Sequence, residues 1–382
     1  MKAERRKKGM KRYLVVFITI LAGMALALAL LGGCGESSKN GETGKPESIT
    51  VTDLAGRQVE IDMPVEKVTA IGPGALRLVC YTGDADKVVG IENMEKQWGT
   101  GRPYIMAHPE LLELPVIGQG GPDSTPDPEM LISVDPDVIF VAYLVDTAKA
   151  NELQSKTGIP VVVLSYGDLG TFDVEVFESL RLVGEITGNT QRADDVASYI
   201  KDCQDDLKDR TMGIPDAEKP TVYVGGLGMK GTHGIESTQG GFPPLDAINA
   251  LNVVDETGTD GSVMIDKEQL LEWNPDIIFI DEGGYGMVVE DYKSNPGLYN
   301  SLQAVQEGSF YGYLPFNYYT TNIDTAVADS YFMGKIVFPD AFRDVDPVEK
   351  ANEIYEFLLG EASYEQMAKD FGGFIQLDLA SQ

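Results

Sequence analysis

The spacing of apolar and polar positions divides this chain into a short leader and a long α/β body. Residues 13–31 are almost wholly apolar and follow a basic stretch, residues 2–12, with seven Lys or Arg against the single acid Glu4. The pattern then changes. Residues 35–47 (GESSKNGETGKPE) offer no apolar face and read as a flexible tether. From residue 48 onward, short runs that are apolar at every position alternate with stretches of helical spacing. That alternation predicts strands buried on both faces of parallel sheets. Strands are predicted over 67–71, 87–91 and 159–164 with a helix over 75–81, and again over 220–225 and 252–255 with a helix over 244–250.

One unit occurs twice. Residues 129–141 read EMLISVDPDVIFV and residues 268–280 read EQLLEWNPDIIFI, the same E-x-L-x-x-x-x-P-D-[VI]-I-F-[VI] spacing 139 positions apart. Each copy predicts a short helix that stops before the proline, because the residue preceding proline disfavours the helical conformation, and then a strand. A repeated unit implies two similar α/β lobes, over 48–174 and 214–382. Between them, residues 175–213 contain no strand-like run. Ala193, Val196, Ala197, Ile200, Cys203 and Leu207 recur there at helical spacing. A helix over 190–210 is a rod of about 30 Å, so the expected architecture is two parallel-sheet lobes joined by a single long helix.

The leader carries its own chemistry. A basic segment, an apolar segment and the small-residue sequence Leu31-Gly32-Gly33-Cys34 form an export signal over residues 1–33. The apolar run is long enough to compete as a bare membrane anchor; the cysteine decides against that. Leu-Gly-Gly-Cys resembles the bacterial lipobox, which implies acylation of Cys34 and a tether over 34–47. The formal charge of −30, more negative once the basic leader is removed, excludes nucleic acid as a partner. Two other cysteines, Cys80 and Cys203, fall in helix-like stretches, as buried thiols or as a disulfide suited to an exported protein. G-x-S-x-G, H-E-x-x-H and P-loop patterns are all absent, in keeping with a binding role rather than an enzyme.

The lipobox, the opening ITVTDLAGRQVEIDMPVEKVTAIGP with its D-x-x-G-R-x-V thread, the doubled P-D unit and the helical linker stand in one order along the chain. In this the chain resembles the TroA-like substrate-binding proteins of ABC importers for iron-siderophore complexes, haem and cobalamin. That resemblance implies two Rossmann-like lobes, a rigid backbone helix and a ligand in the cleft between the lobes. It also implies that Glu129 and Glu268, the first residues of the repeated units, contact the permease. The ligand expected is a metal chelate, foremost a ferric siderophore, bound by a monomer that carries no cofactor. Haem, cobalamin and an oxyanion such as molybdate stand as alternatives, and a lipid-anchored enzyme of the same shape as the reading from another class.

Candidate cleft residues follow from position. Tyr143, Tyr166 and Tyr285 lie just beyond predicted strands, and Tyr318 and Tyr319 in the loop LPFNYYTTN, a set that suits a concave, stacking surface. Arg77, after the turn Gly72-Pro73-Gly74, is the preferred partner for an anionic chelate over Arg102. Gly226-Leu-Gly228-Met-Lys-Gly231 matches G-x-G-x-x-G, but the Gly- and Pro-rich sequence after it cannot open the helix that dinucleotide binding needs. It reads instead as a mobile cleft loop that presents His233 and Glu236 beside Ser237. With His108 and His233 as the only histidines, a metal site built from several imidazoles is excluded.

Overall fold

The computed structural model describes residues 47–381, apart from Trp98, 122–124, 144–145, Leu169 and 229–230. Cys34 and the leader lie outside the described residues. Chain order begins with an antiparallel hairpin, β1 (Ser48–Thr52) and β2 (Gln58–Asp62). Its turn explains the D-x-x-G-R sequence. Asp53 Oδ1 accepts the Ala55 and Arg57 N–H groups at 3.1 and 2.8 Å, and Gly56 takes φ 75°. The other oxygen, Oδ2, accepts the Val163 N–H at 3.1 Å, which pins the hairpin to the first sheet.

That sheet is parallel, in the order β3 (Val68–Ile71), β4 (Val138–Val141), β5 (Val161–Val163), and every residue of its strands is buried. The strand expected over 87–91 is reduced to single bridges, Val88 to Val68 and Ile91 to Val116. Between them the chain changes partner, and a Cβ at Gly90 would lie 2.4 Å from Ile117, so a side chain does not fit there.

The second lobe carries β6 (Thr221–Gly225), β7 (Ser237–Gly240), β8 (Leu251–Asn252), β9 (Gly261–Met264), β10 (Ile277–Asp281), β11 (Phe310–Tyr313) and β12 (Ile375–Gln376). Five form a sheet in the order β12-β11-β10-β6-β8, parallel except for β12; β7 and β9 pair antiparallel outside it. Two expectations fail here. The stretch over 252–255 continues only to Asn252 and then tightens into a 3-10 turn, Val253–Thr257. The supposed mobile loop is half strand: Ser237 and Thr238 are buried, and their hydroxyls donate to Leu227 O (2.7 Å) and Val224 O (2.6 Å). Those hydroxyls satisfy carbonyls that a loose loop would leave to water.

The repeated units occupy matching places. β4 lies parallel beside β3, and β10 beside β6. The Asp of each Pro-Asp pair does the same task. Asp137 Oδ2 accepts the Glu66 and Lys67 N–H groups at 2.8 and 2.9 Å, just ahead of β3. Asp276 Oδ2 accepts the Thr221 N–H and hydroxyl at 2.7 and 2.8 Å, at the start of β6. The motif thus ties the first strand of each sheet to its neighbour.

Between the sheets runs the expected long helix, with the helix before it folded back against it. Helix Val174–Thr187 ends at Gly188 (φ 87°) and packs back on helix Ala75–Tyr81 of the first lobe. The linker helix, Thr190–Thr211, follows, and its buried stripe is Ala193, Val196, Ala197, Ile200, Cys203, Leu207 and Thr211. Each large apolar side chain buried along that stripe contributes on the order of 1.5–3 kcal/mol. Helices Ile323–Val337 and Pro347–Leu359 pack together, the former on the linker helix and the latter against first-lobe helices. Tyr199 of the linker stacks on Phe357 with centroids 3.9 Å apart. Cys80 and Cys203 are both buried free thiols.

Candidate functional site

Parallel strands leave their connecting loops at one end, and in open α/β sheets the carboxyl ends of the strands are where ligands bind. Here the carboxyl ends of both sheets converge on one cavity of about 250 Å³. The first lobe contributes Tyr143 after β4 and Tyr166 and Asp168 after β5; the second contributes Leu227 after β6 and Asp281 at the end of β10. Phe242 and Phe316, with centroids 5.6 Å apart, and the polar Gln239, Asn317, Thr320 and Thr321 complete the wall.

The geometry at the mouth is strained. Tyr143, Tyr319 and Thr320 adopt φ of 65°, 58° and 64°, a region that L-residues avoid and that a β-branched threonine adopts only when its surroundings impose it. The surroundings are the opposite lobe. The Tyr143 and Thr320 hydroxyls share a hydrogen bond of 2.7 Å across the cleft. Gly74 (φ 85°) permits the close approach, since a Cβ there would fall 2.5 Å from Thr320 Cγ2 and 2.6 Å from the Tyr166 ring.

Of the residues expected in the cleft, only Tyr143 and Tyr166 line the cavity. Arg77 lies beneath it, fully buried. Its Nη1 donates to Thr321 O (2.8 Å) and Tyr166 Oη (3.2 Å), and its Nη2 to Tyr318 O (2.9 Å) and Tyr319 O (3.3 Å). It therefore binds the loop of the other lobe instead of facing the cavity. Arg102 is equally committed, to Glu95 at 2.9 Å and Met94 O at 2.7 Å. Tyr319 turns its hydroxyl into the lobe junction, donating to Glu92 Oε2 (2.7 Å) and accepting the Gly121 N–H (2.7 Å). Tyr318 packs edge-on against Phe371. Tyr285 opens helix Tyr285–Ser294 and packs into the second lobe's own hydrophobic cluster. His233 and Glu236 are half-buried behind the cavity, where the His233 carbonyl abuts Gly284.

Two carboxylates were missed. Asp168 is exposed at the rim, whereas Asp281 is only 4% exposed. Asp281 Oδ1 accepts the Gly283 N–H at 2.8 Å. Burial raises its pKa to about 7 against the opposing pull of that N–H. Glu282 behind it is pushed up to about 8, by burial first and by Asp281 as well, with the Gly373 N–H opposing. A signal existed in the repeat: the residue after VIFV is Ala142, whereas the residue after IIFI is Asp281. At the lobe junction Glu92 is likewise raised to about 7, by burial, with Glu95 adding and the Tyr319 and Gly72 hydrogen bonds opposing. Among the described residues, no cationic side chain lines the cavity and no group of three or more His, Cys, Asp or Glu is placed to hold a metal ion.

Glu129 and Glu268 occupy equivalent places, in the first turns of helices Pro128–Ser133 and Lys267–Trp273. Both are exposed, and beside them Met130, Ile132 and Leu271 are exposed apolar side chains.

A two-lobed α/β protein with its cavity between the lobes is built to capture a solute, and the comparisons agree. Residues 68–315 match the periplasmic binding protein family, and the chain belongs to it. It is 23% identical over 331 residues to the uncharacterized ABC transporter substrate-binding lipoprotein YvrC of Bacillus subtilis, covering 85% of this chain and 98% of that one. It is 23% identical to the molybdate-binding protein MolA of Haemophilus influenzae, covering 80% and 89%. A periplasmic solute binding protein from Veillonella parvula shares the fold with a TM-score of 0.69 at 19% identity, covering 85% of this chain and 97% of that one. The chain is the substrate-binding protein of an ABC importer and works outside the cytoplasm; its relatives are solute-binding proteins, not enzymes.

Proposed function

We propose that the protein, anchored through a lipid on Cys34, captures a compact metal chelate between its lobes and docks on the permease through Glu129 and Glu268. The observation that carries the ligand reading is the cavity wall: aromatic rings, hydroxyls and two carboxylates. An oxyanion of the kind named for MolA calls for a ring of donors or basic side chains. This wall has donors in its hydroxyls and amides, but it carries two carboxylates and, among the described residues, no basic side chain. Haem and corrinoids exceed a cavity of about 250 Å³, which lies below the usual range of about 300–1,000 Å³ for ligand pockets. The docking reading is supported by the matched, exposed positions of the two glutamates, neither of which forms an ion pair among the described residues.

A thermal-shift panel of ferric chelates, haemin, cobalamin and molybdate tests this reading. A ligand at one hundred times its dissociation constant stabilises by about 2.7 kcal/mol, so the correct class stands out. Stabilisation by molybdate alone, or by haemin or cobalamin alone, would remove the chelate assignment.

A further inference from the structure

Among the described residues, the cavity wall has one buried polar side chain whose bonding is incomplete. Asp281 is 4% exposed and lies in the cavity wall. One of its oxygens accepts the Gly283 N–H, and the other makes no hydrogen bond among the described residues. Among the described residues, no lysine, arginine or histidine neutralises it: the two arginines nearest the lobe junction, Arg77 and Arg102, are bound to carbonyls and to Glu95. A buried carboxylate without a cation is costly in a folded chain: it is relieved by taking up a proton, as the raised pKa of Asp281 allows, or by a cation from outside.

The remaining wall has the same sign preference. Tyr143, Tyr166, Phe242 and Phe316 line the same small volume, and aromatic rings attract cations through their quadrupole, more so when water is excluded. Asp168 adds a second carboxylate at the rim. The whole chain, at −30, raises the local concentration of cations around the cleft before any contact forms. An anion entering the same space would face two carboxylates and find no described basic side chain.

We infer that the solute carries a positive charge, seated against Asp281 and enclosed by the four aromatic residues. This rests on the cleft being the binding site, and it replaces an anionic chelate clamped by Arg77 with a cationic one. Asp281 then acts as a specificity determinant: it selects the sign of the charge, and the rings select size.

Substitution-inert cobalt(III) complexes of matched size separate charge from shape. Calorimetric titrations at pH 8, where Asp281 is ionised, would compare cationic tris(ethylenediamine)cobalt(III), neutral tris(glycinato)cobalt(III), anionic tris(oxalato)cobaltate(III) and tetramethylammonium, with wild type and Asp281→Asn. The expected order is cation, neutral, anion, with the cation about tenfold tighter than the neutral complex. Asp281→Asn, which keeps an acceptor for the Gly283 N–H, should bring that ratio close to one. Asp168→Asn, at an exposed position that leaves folding intact, should lower it by a smaller factor. Tightest binding by the anionic complex, a ratio unchanged in both variants, or no binding by either cation overturns the inference. Tight binding of the anionic complex would still leave the chelate reading standing. Binding of tetramethylammonium without any cobalt complex would uphold the positive charge and remove the metal chelate.

Discussion

Arg77 is the residue whose replacement separates the two roles it could have. In the structure its guanidinium makes two short charged hydrogen bonds to the second lobe, at 2.8 Å to Thr321 O and 2.9 Å to Tyr318 O, and lies 4.8 Å from the Tyr104 ring centroid. Hydrogen bonds to charged groups contribute ~1.5–3 kcal/mol each, and a desolvated cation–π contact adds ~2 kcal/mol. Removing the buried cation returns part of this, because its desolvation cost disappears with it. The net loss expected for Arg77→Met is about 3–5 kcal/mol, roughly a fifth or more of the stability of a domain held by ~5–15 kcal/mol. Arg77→Lys, which keeps the charge but loses the fork that reaches two carbonyls at once, should fall between. The assay is guanidinium unfolding followed by circular dichroism, with ligand affinity measured on the same samples under folding conditions. A large drop in midpoint with affinity reduced only modestly is the expected pattern. An Arg77→Met protein within about 1 kcal/mol of wild type that has lost its ligand would place the guanidinium in the binding site and refute the clamp.

Three further outcomes follow from the same contacts. Glu92, raised from 4.5 to about 7, keeps a proton that the unfolded chain releases, so its contribution is present at low pH and lost as pH rises through that window; at 1.36 kcal/mol per unit this is about 3 kcal/mol. Asp281 and Glu282 act in the same direction, so the melting temperature should fall from pH 5 to pH 8 and Glu92→Gln should flatten that slope; a melting temperature that climbs over the same range contradicts the assignment. Reversing the charges of Glu129 and Glu268 together should abolish uptake while changing soluble affinity little, because both lie outside the cavity; unchanged transport by the double variant would take them out of the permease contact. Finally, the lobes are tied by Arg77, by Tyr319–Glu92 at 2.7 Å and by Asn322 to Gly101 O at 2.7 Å, and the linker helix has no internal Gly or Pro. Small-angle scattering with and without ligand should therefore give nearly the same radius of gyration, and a contraction like that of hinge-closing proteins would show that these ties break.

Much of the architecture was legible in the sequence because it follows from local rules. Continuous apolar runs marked β4 and β10, since a strand covered on both faces is built mostly of apolar side chains. The linker helix was readable from six apolar positions at helical spacing, and those six, with Thr211, are its buried stripe. The Pro-Asp pair marked where each repeated helix must stop. What remained hidden was everything decided by contacts between distant residues. Ser237 and Thr238 become strand because Gly261–Met264 pairs with them, and no local propensity in a Gly- and Pro-rich stretch announces that partner.

The site divided along the same line. Position after a strand was enough to find Tyr143 and Tyr166, because a parallel sheet delivers all its strand ends to one side. It could not distinguish a residue facing the cavity from one facing the other lobe. Arg77 and Tyr319 have the composition of ligand-binding residues, yet the 316–322 loop, about 240 positions from Arg77, uses the former for its carbonyls, and Glu92 and Gly121 bond the latter. In the sequence Asp281 is only the residue after the apolar run IIFI; that it forms the cavity's one deeply buried carboxylate, among the described residues, is decided by packing. Periodicity and turn chemistry act over a few residues and are written in order along the chain, whereas the choice between clamp and ligand contact depends on which groups the two lobes bring within hydrogen-bond reach, and that is decided only when they pack.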